Sequence, residues 1–199
     1  MPDFSVENEQ RAKGFGIICG VDEAGRGPLS GPVVAAACIL PEEAITWGLN
    51  DSKKLSPKKR DLLFDKITKS SIAYGIGYAT PEEIDSMNIL NATFTAMRRA
   101  IDALVVKPEL ALIDGNLVRG FDLPAIPVIH GDAISCSIAA ASILAKVTRD
   151  RICAEDALKY PEYDFASNKG YGTKAHMDAL REHGPCPIHR RSFLKFLDT

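Results

Sequence analysis

Three apolar segments of the chain each run into acidic residues. IICGV is followed by Asp22 and Glu23, LALI by Asp114, and PVIHG by Asp132. Carboxylates at the edge of a core lose hydration and repel one another, so they are driven towards neutrality unless a cation is bound. Oxygen-only ligands favour Mg²⁺ or Mn²⁺ over zinc, and four carboxylates balance the charge of two divalent ions. The pattern predicts a two-ion site suited to hydrolysis of a phosphodiester.

Each acid also has a structural explanation when it is taken alone. Asp114 is followed by Gly115, a common turn pair, and Asp132 stands where the next helix needs an N-cap. Asp22 and Glu23 can serve simply to solvate a loop. Spacing along the chain does not prove that the three strand ends converge, so the shared site is a hypothesis.

The elements that must position these acids can be predicted from periodicity, capping and turn residues. Ser56-Pro57 and the T-x-x-E box at Thr80 are helix starts, and the Gly/Pro-rich stretch after the first strand favours an antiparallel hairpin. Strands are predicted at residues 16–21, 33–40, 72–79, 109–113 and 125–129. Helices are predicted at residues 58–68, 88–105, 134–153 and 175–182, with a short one after Thr80.

The order of these elements indicates one α/β layered domain over residues 1–199. We expect a mixed sheet flanked by helices on both faces, with a helical C-terminal appendage from about residue 155 to 199. The helix at 134–153 is rich in Ala and Ser, which would let it approach a neighbouring backbone closely.

Composition by itself does not suggest a nucleic-acid binder. The net charge is −2 and the pI about 6.1, whereas such domains are usually basic. Local clusters of positive charge are nevertheless present, although a solvated helix face is the commoner explanation of any one charge run. The first cluster is Lys53, Lys54, Lys58, Lys59 and Arg60, and the second is Lys169, Lys174, His189, Arg190, Arg191 and Lys195.

Targeting and redox signals point to the cytoplasm. The first residues do not form a charged segment followed by an apolar one, and the longest mostly apolar stretch, about residues 136–145, is too short to span a bilayer. The five cysteines form no C-x-x-C pair, which favours reduced, packed thiols. We expect a soluble cytoplasmic protein.

Seven segments resemble ribonuclease HII in their order and spacing. They are GVDEAGRGPLSGPVVAAA, NDSKKLS, EIDSMNIL, LIDGN, GDAISCSIAAASILAKVTRD, NKGYGT and HRRSF, and they extend from Gly20 to Phe193. A match of this length is much more specific than a short motif. The resemblance implies a ribonuclease H-like fold, with Asp22, Glu23, Asp114 and Asp132 as its catalytic and metal-binding acids.

The resemblance also implies substrate-binding residues. Gly25, Arg26 and Gly27 match an element whose backbone reads the ribose 2′-hydroxyl, and glycine suits such a close approach. Tyr171 matches a tyrosine that packs against the following sugar. Two positions depart from the family pattern: Ser30 replaces a common alanine and His130 a common lysine. Further phosphate contacts are expected from Lys53, Lys54, Lys146, Arg149 and Lys169.

The implied activity is endonucleolytic cleavage of RNA in RNA/DNA hybrids and nicking on the 5′ side of single ribonucleotides in duplex DNA. Two divalent ions, Mg²⁺ or Mn²⁺, would promote hydrolysis that leaves a 3′-hydroxyl and a 5′-phosphate, without an organic cofactor. The biological role implied is removal of ribonucleotides from DNA. The related ribonuclease HIII is disfavoured, because the chain keeps Gly-Arg-Gly and lacks a long N-terminal extension.

Two other classes of function remain as alternatives. A non-catalytic hybrid-binding module would keep the basic clusters but lose acids, and all four acids are present. A dinucleotide-dependent oxidoreductase fits badly, because Gly31 comes one place late for G-x-G-x-x-G and a strand follows where a helix should open. We expect a monomer that binds nucleic acid and no membrane. RSFLKFL lacks the glutamine of a sliding-clamp peptide, so no protein partner is predicted.

Overall fold

The computed structural model describes residues 1–197, at whose centre lies a five-stranded mixed sheet. The strands are β1 (Ile18–Ala24), β2 (Val33–Ile39), β3 (Ala73–Ala79), β4 (Leu110–Asp114) and β5 (Ala125–Val128). Their order is β3-β2-β1-β4-β5, with β1–β2 and β2–β3 antiparallel and β1–β4 and β4–β5 parallel. The predicted hairpin and mixed sheet are confirmed.

Helices connect and cover the strands. They are α1 (Ser5–Ala12), α2 (Pro57–Ser70), α3 (Pro81–Met87), α4 (Ile89–Asp102), α5 (Gly131–Ile134), α6 (Cys136–Lys159), α7 (Phe165–Asn168) and α8 (Lys174–His183). Short 3-10 helices cover Glu42–Thr46, Ser52–Lys54, Pro161–Tyr163, Arg191–Phe193 and Lys195–Leu197. The side chains of Ser56 and Thr80 cap α2 and α3, and Thr80 forms the reciprocal capping box with Glu83.

The helix predicted at residues 134–153 is in fact two helices. Ser135 between them is extended, with φ −104° and ψ 127°, and its side chain accepts a hydrogen bond from the Ile138 amide as the N-cap of α6. The second helix continues to Lys159. The prediction ended it too early because half of the residues at 154–159 are charged, and apolar periodicity does not reveal a solvated face.

Helices cover both faces of the sheet, as predicted. Phe94, Met97 and Ile101 of α4 pack on one face against buried residues of β1, β2 and β4. On the other face, α6 and α2 pack against β2, with Leu63 and Ile67 supplied by α2. The sheet is therefore a middle layer covered on both faces. Functional side chains of the strands can reach solvent at the strand ends.

The central helix α6 touches the backbone of β1. A Cβ atom on Gly20 would overlap the main chain of Ser137 and Ile138, so this position needs glycine. Buried alanines fill the first turns of α6. The predicted close approach of this helix to a neighbouring backbone is confirmed.

The C-terminal region has its own small core of Tyr163, Phe165, Leu180, Cys186 and Leu194. It is joined to the loop between β1 and β2 by main-chain hydrogen bonds from Gly31 to Ile188, from Arg190 to Leu29, and from Leu29 to Gly170. The appendage thus supports the loop that contains the Gly-Arg-Gly element.

All five cysteines are buried and unpaired, as expected. Among residues 1–197, no helix combines the length and apolarity needed to cross a bilayer.

Candidate active site

The strand register brings the predicted acids to one edge of the sheet. Strands β1, β4 and β5 are parallel, so their carboxyl ends lie together. Val21 pairs with Ile113, which places Asp22 beside Asp114, the last residue of β4. Asp132 lies just beyond β5, in the first turn of α5. Three separate segments therefore deliver carboxylates to one place.

Asp22 is the most buried of these acids, with 6% of its surface exposed. Burial raises its pKa well above the usual value, and the negative charges of Glu23 and Asp114 raise it further. The Glu23 amide donates to its Oδ1 over 2.6 Å, and the Ser142 hydroxyl of α6 also bonds to the carboxylate. These two hydrogen bonds lower the pKa, but they offset the rise only in part. The carboxylate therefore needs a nearby positive charge to be stable in its ionised form.

Glu23 lies in a similar buried, acidic environment, but the positively charged side chain of Arg26 is close to it. Burial raises its pKa, the Arg26 guanidinium at 3.4 Å lowers it, and the charge of Asp114 raises it again. Asp114 is held by the Gly131 amide, which donates to its Oδ1 over 2.7 Å. That bond ties the end of β4 to the start of α5, the helix that carries Asp132.

Asp132 is the fourth member of the acidic group, which consists of Asp22, Glu23, Asp114 and Asp132. Burial raises its pKa, and the neighbouring charges of Asp114 and Asp51 raise it further, while Lys53 lowers it. Asp132 does not cap a helix, because the N-cap of α5 is His130 and that of α6 is Ser135. The capping explanation considered for this residue is therefore wrong.

The donor chemistry of the acidic group fits hard divalent cations. The ligands are carboxylate oxygens, and the pKa values of Asp22, Glu23 and Asp132 are raised first by burial and then by the negative charges of neighbouring acids, both of which a bound cation would offset. Within residues 1–197, no three His, Cys, Asp or Glu side chains are already grouped closely enough to hold an ion. Glu23 is turned towards Arg26 instead, so ion binding would require carboxylates to rotate.

The Gly-Arg-Gly loop lies in the same pocket as Asp22 and Glu23. Gly25 has φ +97°, and a Cβ atom there would overlap the Arg149 side chain, so glycine is required. Gly27 does not have a positive φ, so of the two glycines only Gly25 adopts a left-handed backbone conformation. A Cβ atom on Gly27 would lie 3.5 Å from Cε1 of Tyr171, a residue that is 48% exposed beside the loop.

The predicted phosphate-binding residues are distributed unevenly. Lys53 and Lys146 line the pocket, and Lys146 Nζ lies 2.7 Å from Asp150. Arg149 also borders the pocket, but it is only 1% exposed and its guanidinium donates to main-chain carbonyls, so its main contacts are within the protein. Pattern alone assigned it to solvent because a charged residue in a helix is usually exposed.

Several residues at the site were missed from the sequence. Asp51 lies beside Asp132, and Ser142 bonds to Asp22 and, over 2.8 Å, to Ser52. These contacts join residues 81 to 120 positions apart in the chain, and short polar side chains carry no periodic signal that identifies their partner. The buried Arg190, which reaches the Gly-Arg-Gly loop, was grouped only with a basic surface cluster.

Comparisons with known proteins agree on one family. A family model described as ribonuclease HII matches residues 19–196. Ribonuclease HII of Caldicellulosiruptor saccharolyticus is 52% identical over 192 residues, covering 96% of this chain and 94% of that protein. Among solved structures, ribonuclease H2 from Pyrococcus horikoshii OT3 has a TM-score of 0.74 and 31% identity, covering 89% of this chain and 93% of that one. Ribonuclease HII from Archaeoglobus fulgidus, solved in complex with PCNA, has a TM-score of 0.72 and 25% identity over 88% and 94%.

Proposed function

The chain belongs to the ribonuclease HII family and is a metal-dependent ribonuclease H, and from this premise we propose that it nicks duplex DNA on the 5′ side of single ribonucleotides. It would also cut the RNA strand of RNA/DNA hybrids, leaving a 3′-hydroxyl and a 5′-phosphate. The role that follows is the removal of ribonucleotides from DNA.

One observation carries this proposal. The edge of the sheet that gathers Asp22, Glu23, Asp114 and Asp132 is directly continuous with the loop that contains Gly25. Acids that attract cations therefore lie next to a backbone that a sugar can approach closely. This juxtaposition supports cleavage at a site chosen by its sugar.

The four acids would hold two divalent ions, Mg²⁺ or Mn²⁺. When bound, such ions supply an activated water and stabilise the leaving oxygen of a phosphodiester. Asp22 would be the central ligand, since it is the most buried and has both Glu23 and Asp114 as neighbours. The amide of Gly131 would keep Asp114 oriented while the more exposed acids adjust.

Substrate recognition is assigned to the surface around the same pocket. The main chain of Gly25, Arg26 and Gly27 would contact the ribose 2′-hydroxyl, which distinguishes RNA from DNA. Tyr171, half exposed beside Gly27, would pack against the next sugar. Lys53 and Lys146 line the pocket, and their ammonium groups would contact phosphates, which adds affinity without sequence preference.

We propose that the chain acts as a monomeric single domain without a protein partner. Phe193 packs against the main core, and Leu194 is buried in the C-terminal core. The apolar residues of RSFLKFL are thereby used within the protein, which supports the expectation that this segment is not a sliding-clamp peptide.

Cleavage of an end-labelled DNA duplex carrying one ribonucleotide tests the function. The assay compares Mg²⁺, Mn²⁺ and chelator, with an all-DNA duplex as substrate control and Asp132→Asn as protein control. We expect a metal-dependent nick 5′ of the ribonucleotide that is absent from both controls. Full activity of Asp132→Asn would refute the assigned acids, and a folded wild type without any nick would favour the hybrid-binding module.

A further inference from the structure

A buried arginine holds the Gly-Arg-Gly loop from beneath. Arg190 is fully buried. Its Nε donates to the Gly31 carbonyl over 2.9 Å, and its Nη1 donates to the carbonyls of Arg26 (3.0 Å) and Pro28 (2.8 Å). Its Nη2 donates to the Gly25 carbonyl over 2.6 Å. One side chain thus binds four carbonyl oxygens within seven consecutive residues.

A second buried guanidinium binds the neighbouring main chain. Arg149 of α6 donates to the carbonyls of Ser30 (3.2 Å), Pro32 (3.4 Å) and Lys169 (3.0 Å). The two arginines are close enough to repel each other. Burial lowers the pKa of Arg190 to about 9, and the charge of Arg149 contributes to that shift. Burying two like charges is costly, which indicates that the guanidinium geometry has a use beyond filling space.

Only arginine can satisfy this set of acceptors. A guanidinium is planar and carries five N–H donors in a fixed fork, whereas a lysine ammonium presents three donors from a single point. With four carbonyls held by one rigid group, the peptide planes that contain the carbonyls of residues 25, 26, 28 and 31 are held in one orientation. The donors and acceptors that remain free in the loop are therefore also held in fixed positions.

We infer that Arg190 is a positioning residue that fixes the Gly-Arg-Gly loop for recognition of the ribose 2′-hydroxyl. The inference rests on the proposed function, because it assumes that this loop reads the sugar. The hydrogen bonds of the guanidinium end on loop carbonyls and not on the acidic group. Loss of Arg190 should therefore impair the choice of the cleavage site and leave ion binding intact.

Arg190→Lys is the test variant, with Arg191→Lys as its matched control. Arg191 is adjacent but exposed, and its guanidinium reaches only the Pro185 carbonyl among residues 1–197, at 3.4 Å. The values of kcat/KM are measured on a duplex with one ribonucleotide and on an RNA/DNA hybrid, and Mn²⁺ binding is measured by calorimetry.

We expect Arg190→Lys to reduce kcat/KM at the single ribonucleotide by about 10- to 100-fold, since misplacing a binding group by about 1 Å has effects of this size. The reduction on the hybrid should be smaller, because every register of the hybrid offers a 2′-hydroxyl. Mn²⁺ affinity should remain that of the wild type, and Arg191→Lys should match the wild type in all three measurements.

Two results would overturn the inference, and they differ from a failure of the proposed function. A folded Arg190→Lys whose kcat/KM is unchanged on both substrates refutes it, and so does one whose kcat/KM falls equally on both. If the lysine variant does not fold, Arg190→Gln gives the same comparison, because it removes the buried charge and keeps two N–H donors. A wild type that does not nick at ribonucleotides refutes the proposed function itself, and this inference with it.

Discussion

The carboxylate of Asp22 is placed where a charge is unfavourable without a partner. It is buried, it lies beside Glu23 and Asp114, and its pKa is raised by both circumstances. Buried like charges destabilise a fold, and a bound cation relieves that cost. The carboxylate of Asp22 should therefore destabilise the metal-free protein, although the same carboxylate would be needed to bind the ion.

Asp22→Asn should stabilise the metal-free protein while it abolishes cleavage. Removing the unfavourable buried charge is expected to raise the free energy of unfolding of the metal-free protein, because burial and the charges of Glu23 and Asp114 disfavour the ionised carboxylate. Thermal melts with and without Mg²⁺ provide the measurement. Mg²⁺ should stabilise the wild type and have little effect on the variant.

The control is Asp65→Asn, which changes an exposed carboxylate of α2. It should leave both the melting temperature and its response to Mg²⁺ unchanged. An Asp22→Asn protein that is less stable than the wild type in chelator would contradict the electrostatic account of this residue.

The contact between α6 and β1 positions the acids through whole elements. Gly20 allows the helix to lie against the strand, and two residues further along that strand is Asp22. Ser142, on the same helix, bonds to Asp22. The distance between helix and strand therefore sets the position of a side-chain partner of the most buried acid.

Gly20→Ala should separate α6 from β1. The added methyl group would overlap the main chain at Ser137, and overpacking of this kind costs about 1–3 kcal/mol. Urea unfolding should show this destabilisation, with reduced cleavage because Ser142 moves with the helix. Gly16→Ala is the control, since its Cβ atom would have only an ordinary contact, 3.4 Å from Glu109. Equal stability of the two variants would contradict the close contact.

Two buried histidines join the elements of the C-terminal region. The Cys186 amide can only donate, so Nδ1 of His189, 3.0 Å away, accepts. The Tyr171 carbonyl can only accept, so Nδ1 of His176, 2.9 Å away, carries a proton. The Nε2 atoms of the two rings lie 3.0 Å apart, which leaves His189 as donor to His176. The arrangement is complete only when both rings are neutral.

Stability should therefore fall in mild acid. Burial lowers the pKa of His189 to about 4, with a further contribution from His176. The unfolded chain binds a proton as the pH drops below about 6.5, whereas the folded chain resists until about 4. The contribution of neutral His189 to the free energy of unfolding is thus fully present above about pH 6.5 and is lost as the pH falls from about 6.5 to about 4. The total loss is up to about 3 kcal/mol.

Urea unfolding across this pH range checks the prediction. Replacing the exposed His183 in His183→Gln should preserve the wild-type pH dependence. His189→Phe should be less stable at neutral pH but should show a flatter dependence, because it no longer gains a proton on unfolding. Parallel curves for His189→Phe and the wild type would show that other groups control the acid response.

At the scale of the whole molecule, a net charge of −2 conceals a separation of charge. The acids meet at one edge of the sheet, while Lys53 and Lys146 line the pocket beside them. A protein with this distribution can bind a polyanion although its overall charge is slightly negative, because binding depends on the local field.

Lys53→Ala/Lys146→Ala should weaken binding of duplex DNA and reduce its dependence on salt. Removing one lysine that neutralises a phosphate is expected to lower the slope of log K against log salt by about one. Fluorescence anisotropy in Ca²⁺ or chelator measures binding without cleavage. Lys107→Ala, which removes an exposed lysine outside the pocket, is the control and should keep the wild-type slope. An unchanged slope for the double variant would remove these lysines from the interface.

The sequence by itself determined the fold class, the hairpin, the capped helices and the candidate acids. These features depend on local rules: apolar periodicity, caps such as Thr80, and acids placed directly after apolar strands. A run of matching segments then indicated the family, which the comparisons confirmed. Each of these signals is carried by residues close together in the chain, and the family match adds only the order and spacing of such local segments.

Only the tertiary structure decided which distant residues serve the site. Arg149 and Arg190 look like surface charges in the sequence, yet the fold buries both beneath the Gly-Arg-Gly loop. Asp51 and Ser142 join the acids from other elements. The physical reason is that a polar side chain has many possible partners along a chain, and packing in three dimensions selects among them by distance and desolvation.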